Sequence, residues 1–201
     1  MQIGILGTGN VGSALTESCV ASGHTVTLGS RTPETAKVDI DETAGDFDIT
    51  TQSDTIRESD VIVFAVPPDA AVEIADDKAT LLANKTIIDP TNEYPTPTDD
   101  TSVATRISEA APNANVVKAF NTIGAEHMVD PEIDGESTTM FIAGDDSTAV
   151  DNVKSIVSDI GFDPFVAGDL DAAGHLEDLG RFWIHLSIEH GRDVGYHLLR
   201  E

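Results

Sequence analysis

The stretch from Met1 to Arg31 constrains the fold most. Ile3 to Leu6 form a short apolar run that reads as a buried strand, and Gly7-Thr8-Gly9-Asn10-Val11-Gly12 follows at once. Ser13 to Ala21 then shows helical spacing, with Val11, Leu15 and Cys19/Val20 on one side. A G-x-G-x-x-G turn set between a strand and a helix is a dinucleotide-binding pattern. The glycines have distinct physical roles. Gly7 turns the chain tightly off the strand, Gly9 lets a pyrophosphate approach the backbone, and Gly12 lets the helix pack close to the strand. The helix start offers unpaired N–H groups and a partial positive charge to the phosphates.

The end of the second strand selects the dinucleotide. His24 to Leu28 alternates and runs into Gly29-Ser30-Arg31-Thr32, with no carboxylate between Gly23 and Pro33. A unit that binds NAD usually places Asp or Glu there for the ribose 2′-hydroxyl. A guanidinium flanked by two hydroxyls instead suits a 2′-phosphate, which Arg31 can neutralise while Ser30 and Thr32 donate hydrogen bonds. The expected cofactor is therefore NADP(H). Thr32 and Pro33 also suit a helix start, which is compatible with that role.

Charge narrows the partners. Asp and Glu number 36 against 11 Lys and Arg, a net charge of −25, and the acids are spread along the whole chain. Nucleic acid would be repelled, and no apolar run approaches the length of a membrane span. The start of the chain shows no basic leader pattern, so a cytoplasmic protein is expected. The single Cys19 permits no internal disulfide and reads as a small core residue. A dispersed acidic excess with few lysines resembles proteins of salt-accumulating halophiles. At about molar salt the Debye length falls to about 3 Å and the self-repulsion is screened. The melting midpoint is expected to rise between dilute buffer and molar salt; equal midpoints would overturn this reading.

The rest of the chain alternates strand and helix. Pro33 to Asp46 reads as a short helix and a loop, Phe47 to Ile49 as a short strand, and Gln52 to Ser59 as a helix. Val61 to Val66 is a continuous apolar run, as expected of a central parallel strand. Asp69 to Ala83 reads as a helix with Ala71, Ile74, Ala75, Leu81 and Leu82 inward, and Lys85 to Ile88 as the next strand. Pro95 to Asp100 is a connecting loop. Val103 to Ala111 is a helix, Asn115 to Phe120 a strand, Ala125 to Ser137 irregular and Thr139 to Ala143 a strand. Asp145 to Ile160 is a helix, Phe162 to Ala167 a last strand, and Asp171 to Leu199 mostly one helix. This order predicts an α/β fold, a Rossmann-type doubly wound parallel sheet with a small C-terminal helical portion. Residues 1–145 are expected to form the NADP-binding domain, and 146–201 an extension that closes the cleft and forms a dimer contact. Gly7, Ser30, Val66, Asn92 and Asn121 lie at or just past strand ends, where ligands bind in such sheets, and are expected to line one crevice.

GTGNVG near the start, GSR after the second strand, Ala65-Val66-Pro67 and Lys118-Ala119-Phe120-Asn121-Thr122 together resemble the coenzyme F420-dependent NADP oxidoreductases. Ala167-Gly168-Asp169-Leu170 through Leu176-Glu177 resembles the same family, so the likeness runs along essentially the full chain. It implies a homodimer that passes hydride between NADP(H) and coenzyme F420. By this resemblance Thr8, Ser30 and Arg31 hold the 2′-phosphate and pyrophosphate, and Val66 and Pro67 lie along ribose and nicotinamide. Asn121, Thr122, Ile123 and Gly124 sit where the deazaflavin stacks on the nicotinamide. The candidate cofactor contacts are Gly7, Thr8, Gly9, Asn10, Val11, Gly12, Ser30, Arg31, Thr32, Ala65, Val66, Pro67, Asn92, Ala119, Asn121, Thr122, Ile123 and Gly124. Archaeal members often carry Lys shortly after the Ser-Arg pair; Thr35 stands about there in this chain, with Lys37 near. Lys118 and Arg181 are candidates to meet the acidic tail of F420.

Hydride transfer needs two rings stacked in a water-free site rather than a general acid or base, so no catalytic side chain is assigned. His175, His185, His190 and His197 do not gather three ligands on one helix face, so no metal is expected. Ser13 and Ser22 have no base pattern, and Asp89 reads as a strand-end residue. The KAFNT loop is shared with ferric-reductase-like relatives, which makes a flavin or a ferric chelate the alternative acceptor. A non-catalytic NADP(H) sensor is the third reading.

Overall fold

The computed structural model describes residues 1–38, 40, 45–97 and 100–200. In chain order the strands and helices begin with β1 (Gln2–Leu6), α1 (Asn10–Ala21), β2 (Thr25–Ser30), β3 (Asp48–Thr51), α2 (Gln52–Glu58) and β4 (Val61–Phe64). They continue with α3 (Pro68–Asp77), α4 (Ala79–Leu82), β5 (Thr86–Asp89), α5 (Val103–Ala110), β6 (Asn115–Lys118), β7 (Glu132–Ile133) and β8 (Glu136–Ser137). The last are β9 (Thr139–Gly144), α6 (Ser147–Ile160), β10 (Asp163–Gly168) and α7 (Ala173–His190).

Among the described residues, eight strands form one sheet in the order β10-β9-β6-β5-β4-β1-β2-β3. The run from β3 to β6 is parallel throughout and has the 3-2-1-4-5-6 order of the dinucleotide fold. Among the described residues of this sheet, only the β6–β9 junction is antiparallel; β10 then pairs parallel to β9, with a register shift between Val166 and Gly168. The expected parallel α/β sheet is thus present, extended by a reversed pair. Residues 146–201 supply α6, α7 and β10, and β10 belongs to the same sheet.

Both faces are covered. One core gathers Ile3, Ile5, Leu15, Cys19 and Val63 with Val153 and Ile156 of α6. The other gathers Leu6, Ile62, Phe64 and Ile87 with Ala71, Ala75 and Ile107 of α3 and α5. Strands buried on both sides explain the unbroken apolar run at Val61–Phe64. Burial pushes the Cys19 thiol up to about 12, so it stays protonated at neutral pH, as fits a core residue.

Several elements differ from the sequence reading. The helix expected over 69–83 is two, because the Lys78 main chain (φ −117°, ψ 16°) leaves the helical region between α3 and α4. The irregular 125–137 stretch contains a short helical turn and the β7–β8 ribbon. Over 33–46 the described part holds one helical turn at Pro33–Thr35; residues 39 and 41–44 lie outside the described residues, as do 98 and 99 of the proline-rich loop.

The largest correction concerns the last helix, which stops at His190 rather than Leu199. Gly191 adopts φ +91° and turns the chain away. The tail folds back instead: the Thr139 N–H donates to the Tyr196 carbonyl at 2.7 Å, and the Trp183 Nε1–H to the Val194 carbonyl at 2.7 Å. Arg192 pairs with Glu126 and stacks on Trp183, and Arg200 pairs with Asp163 at 2.6 Å and stacks on Phe165. Among the described residues no helix is long and apolar enough to cross a membrane.

Candidate functional site

The strand-turn-helix at the start has the packing its glycines require. Gly7 has φ +116°, and a Cβ there would lie 2.0 Å from the Ala65 carbonyl oxygen. A Cβ on Gly12 would lie 2.1 Å from the Gly7 carbonyl oxygen, so helix, turn and β4 close on one another only without side chains. Gly9 differs: among the described residues, apart from its own chain neighbours, no atom stands within 4 Å of where its Cβ would be, and Gly9 lines a cavity. The first turn of α1, formed by Asn10, Val11 and Gly12, starts at Gly9 without a side-chain cap or an acidic residue. Its N–H groups are left for a ligand.

The cavity has a volume of about 700 Å³ and opens to solvent at the carboxyl ends of β1, β2 and β4. Three stretches that follow strands line it: Gly7, Thr8 and Gly9 after β1, Ser30, Arg31 and Thr32 at the end of β2, and Ala65, Val66 and Pro67 after β4. The Ser30 side-chain oxygen accepts from the Thr32 N–H at 3.1 Å, which sets the turn that carries Arg31 to the rim. The chain also brings Gly29, Thr35, Lys37, Gln52, Glu73, Asp77 and Lys78 to this cavity. Lys78, at the break between α3 and α4, also lines the cavity, and nothing in the sequence marked it for that place.

The basic residues divide in a telling way. Arg57, Arg106, Lys118, Lys154, Arg181, Arg192 and Arg200 each meet a carboxylate of this chain. Lys85 donates to the Ser59 carbonyl. The remaining three of the 11, Arg31, Lys37 and Lys78, all line the cavity, and among the described residues none of them meets a carboxylate. In a chain of net charge −25, unpaired cations gathered at one cleft are a docking place for an anion.

Asn92, Ala119, Asn121, Thr122, Ile123 and Gly124 are not among the residues that line this cavity; they lie past the ends of β5 and β6. The Asn92 Nδ2 donates to the Asn121 carbonyl at 2.6 Å, and the Asn121 Nδ2 to Asn92 Oδ1 at 2.9 Å and to the Leu176 carbonyl at 2.8 Å. Helix α7 lies against this loop at Gly180, where a Cβ would stand 2.4 Å from Asn92 Oδ1. Leu176 and Gly180 therefore cover the Asn121 face. Trp183 is buried under the tail, and Phe182 is exposed beside His185. Phe120, just before the loop, has φ +63°, and its N–H donates to the Met140 sulfur. The side-chain oxygens Asn121 Oδ1, Thr122 Oγ1 and Thr91 Oγ1 are buried without a hydrogen-bond partner among the described residues.

Lys118 does not reach out to a coenzyme tail. It is fully buried, and its Nζ donates to Asp89 Oδ2 at 2.8 Å, Glu177 Oε1 at 2.9 Å and the Thr91 carbonyl at 2.6 Å. Three donors with three acceptors leave the ammonium nothing to offer a ligand. Arg181 pairs with Asp178 on its own helix. Among the described residues no three His, Cys, Asp or Glu side chains gather to hold a metal ion.

Residues 2–93 match the family model described as NADP oxidoreductase, coenzyme F420-dependent. A crystal structure from Arthrobacter sp. FB24, provisionally described as an F420-dependent NADP reductase, superposes with a TM-score of 0.88 over 100% of both chains at 27% identity. The reductive aminase of Aspergillus terreus, solved with NADPH4, cyclohexanone and allyl amine, shares the fold: TM-score 0.66 over 94% of this chain and 62% of that one, at 22% identity. Among curated proteins, Metalloreductase STEAP3 of Rattus norvegicus is 31% identical over 186 residues, which are 88% of this chain and 36% of that protein. The chain thus spans about a third of the curated relatives it matches. Residues 2–93 thus resemble the coenzyme F420-dependent NADP oxidoreductases, and the fold follows the Arthrobacter structure end to end.

Proposed function

We propose that the protein transfers hydride between NADP(H) and the deazaflavin coenzyme F420. The observation that carries the NADP(H) part is the set of three cations, Arg31, Lys37 and Lys78, unpaired by any described carboxylate and facing one cavity. The open face at Gly9 and the uncapped start of α1 suit the pyrophosphate, and Ser30, Arg31 and Thr32 suit the 2′-phosphate. When bound, the nicotinamide supplies the hydride and the deazaflavin accepts it. The chain binds and orients: Ala65, Val66 and Pro67 form the wall along which the dinucleotide crosses the sheet, and the covering by α7 keeps water from the ends of β5 and β6.

The family match supports F420 as the acceptor. The metalloreductase relatives favour a second reading, in which a flavin or a ferric chelate takes the electrons. Mixing the pure protein with NADPH and each acceptor in molar salt, and following the loss of NADPH absorbance, separates the two. F420-dependent oxidation is the expected result. Oxidation with flavin or ferric chelate alone would install the second reading, and binding of NADPH without oxidation by any acceptor would favour a sensor.

A further inference from the structure

The buried ion cluster at the ends of β5 and β6 has no part in the binding just described. Asp89 ends β5, Lys118 ends β6, and Glu177 comes from α7; all three are essentially without solvent contact. Asp89 Oδ1 accepts from the Thr91 N–H at 2.9 Å and Oδ2 from Lys118, while Glu177 Oε1 accepts from Lys118 and from the Val103 N–H at 2.8 Å. Acceptance from N–H donors suits both groups as carboxylates. Two carboxylates against one ammonium leave a single negative charge. The ion pair of the half-buried Arg106 with Glu93 adds none.

Burial makes this charge long-ranged. Water and salt screen it far less than the acids of the surface. Its place matters because a dinucleotide on this fold lies across the carboxyl ends of the strands, one half on each side of the β1/β4 switch. If Arg31 past β2 holds the adenosine half, the nicotinamide half crosses towards β4, β5 and β6, where the cluster stands. The oxidised nicotinamide ring is a cation, and the reduced ring is neutral.

We propose that the Asp89–Lys118–Glu177 cluster biases the site towards the oxidised cofactor, binding NADP⁺ more tightly than NADPH and so making bound NADPH the stronger hydride donor. This rests on the reading that the cavity takes NADP(H). Glu177 and Asp89 touch neither ring; they act through their field. A single charge acting across about 10 Å at an effective dielectric of about 20 changes an equilibrium by about ten-fold. For a two-electron couple, ten-fold corresponds to about 30 mV.

The test measures the ratio of dissociation constants for NADP⁺ and NADPH by titration calorimetry in molar salt. In Glu177→Gln the amide carbonyl still accepts from Lys118 and Val103 while the charge is gone. The wild type is expected to bind NADP⁺ more tightly, and the variant to weaken NADP⁺ relative to NADPH by about ten-fold. Asp89→Asn removes the same charge from the other side of Lys118 and should move the ratio the same way. A role limited to holding α7 in place would weaken both forms together, and an unmoved ratio in a folded variant overturns the proposal. If neither variant folds, the wild-type ratio decides: tighter binding of NADPH overturns it. Failure of the wild type to bind either form defeats the NADP(H) reading itself, whereas binding of both with an unmoved ratio defeats this inference alone.

Discussion

Arg31→Ala is expected to weaken NADPH binding by about 10- to 100-fold while leaving NADH binding within about two-fold. Arg31 sits at the cavity rim, meets no carboxylate among the described residues, and follows Ser30 on the turn that β2 delivers. A charge-assisted hydrogen bond to a phosphate is worth about 1.5–3 kcal/mol, which gives the range stated. Lys37 and Lys78 remain in the variant and set its upper bound. Calorimetry with both dinucleotides at high ionic strength checks the result. Equal weakening of NADPH and NADH would show that Arg31 shapes the site rather than reading the 2′-phosphate.

Lys118→Met should cost more stability than any surface change. The variant would leave Asp89 and Glu177 facing each other in the core with their shared cation gone. Breaking a buried ion pair by removing one partner typically costs about 3–5 kcal/mol. For a chain of this size that is about 10 °C in melting temperature, from about 2–4 °C per kcal/mol. Thermal unfolding in molar salt measures it. A loss under about 1 kcal/mol would mean that the two acids are met by solvent or protons as easily as by the ammonium.

Much of the fold was legible because its signals are local. The glycine turn, the apolar run at Val61–Phe64 and the alternation of strand and helix each report on neighbours a few residues apart. The cavity walls at Gly7–Gly9, Ser30–Thr32 and Ala65–Pro67 followed from the same strand ends. What was not legible depends on long-range contact. Lys118 and Glu177 are 59 residues apart, and nothing near Lys118 announces its partners. Val194 and Leu198 continue the apolar spacing of α7, yet they belong to a tail that Gly191 has turned back across Trp183 and Thr139. An apolar period alone cannot tell a helix from a segment that packs against one. The covering of Asn121 has the same origin: Gly180 looks like a weak point in a helix until Asn92 is found against it.

The reversed pair β9–β10 has a consequence at the margins of the sheet. An outermost strand offers unpaired main-chain groups to any passing chain, and many proteins aggregate there. Here β10 carries Pro164, which lacks an N–H, and its register slips between Val166 and Gly168. Arg200 lies over Phe165 and binds Asp163, so the tail also shields that border. At the opposite border β3 is only four residues long and begins with the charged Asp48. Neither border makes a good template for strand addition, so the sheet ends at eight strands without needing closure into a barrel.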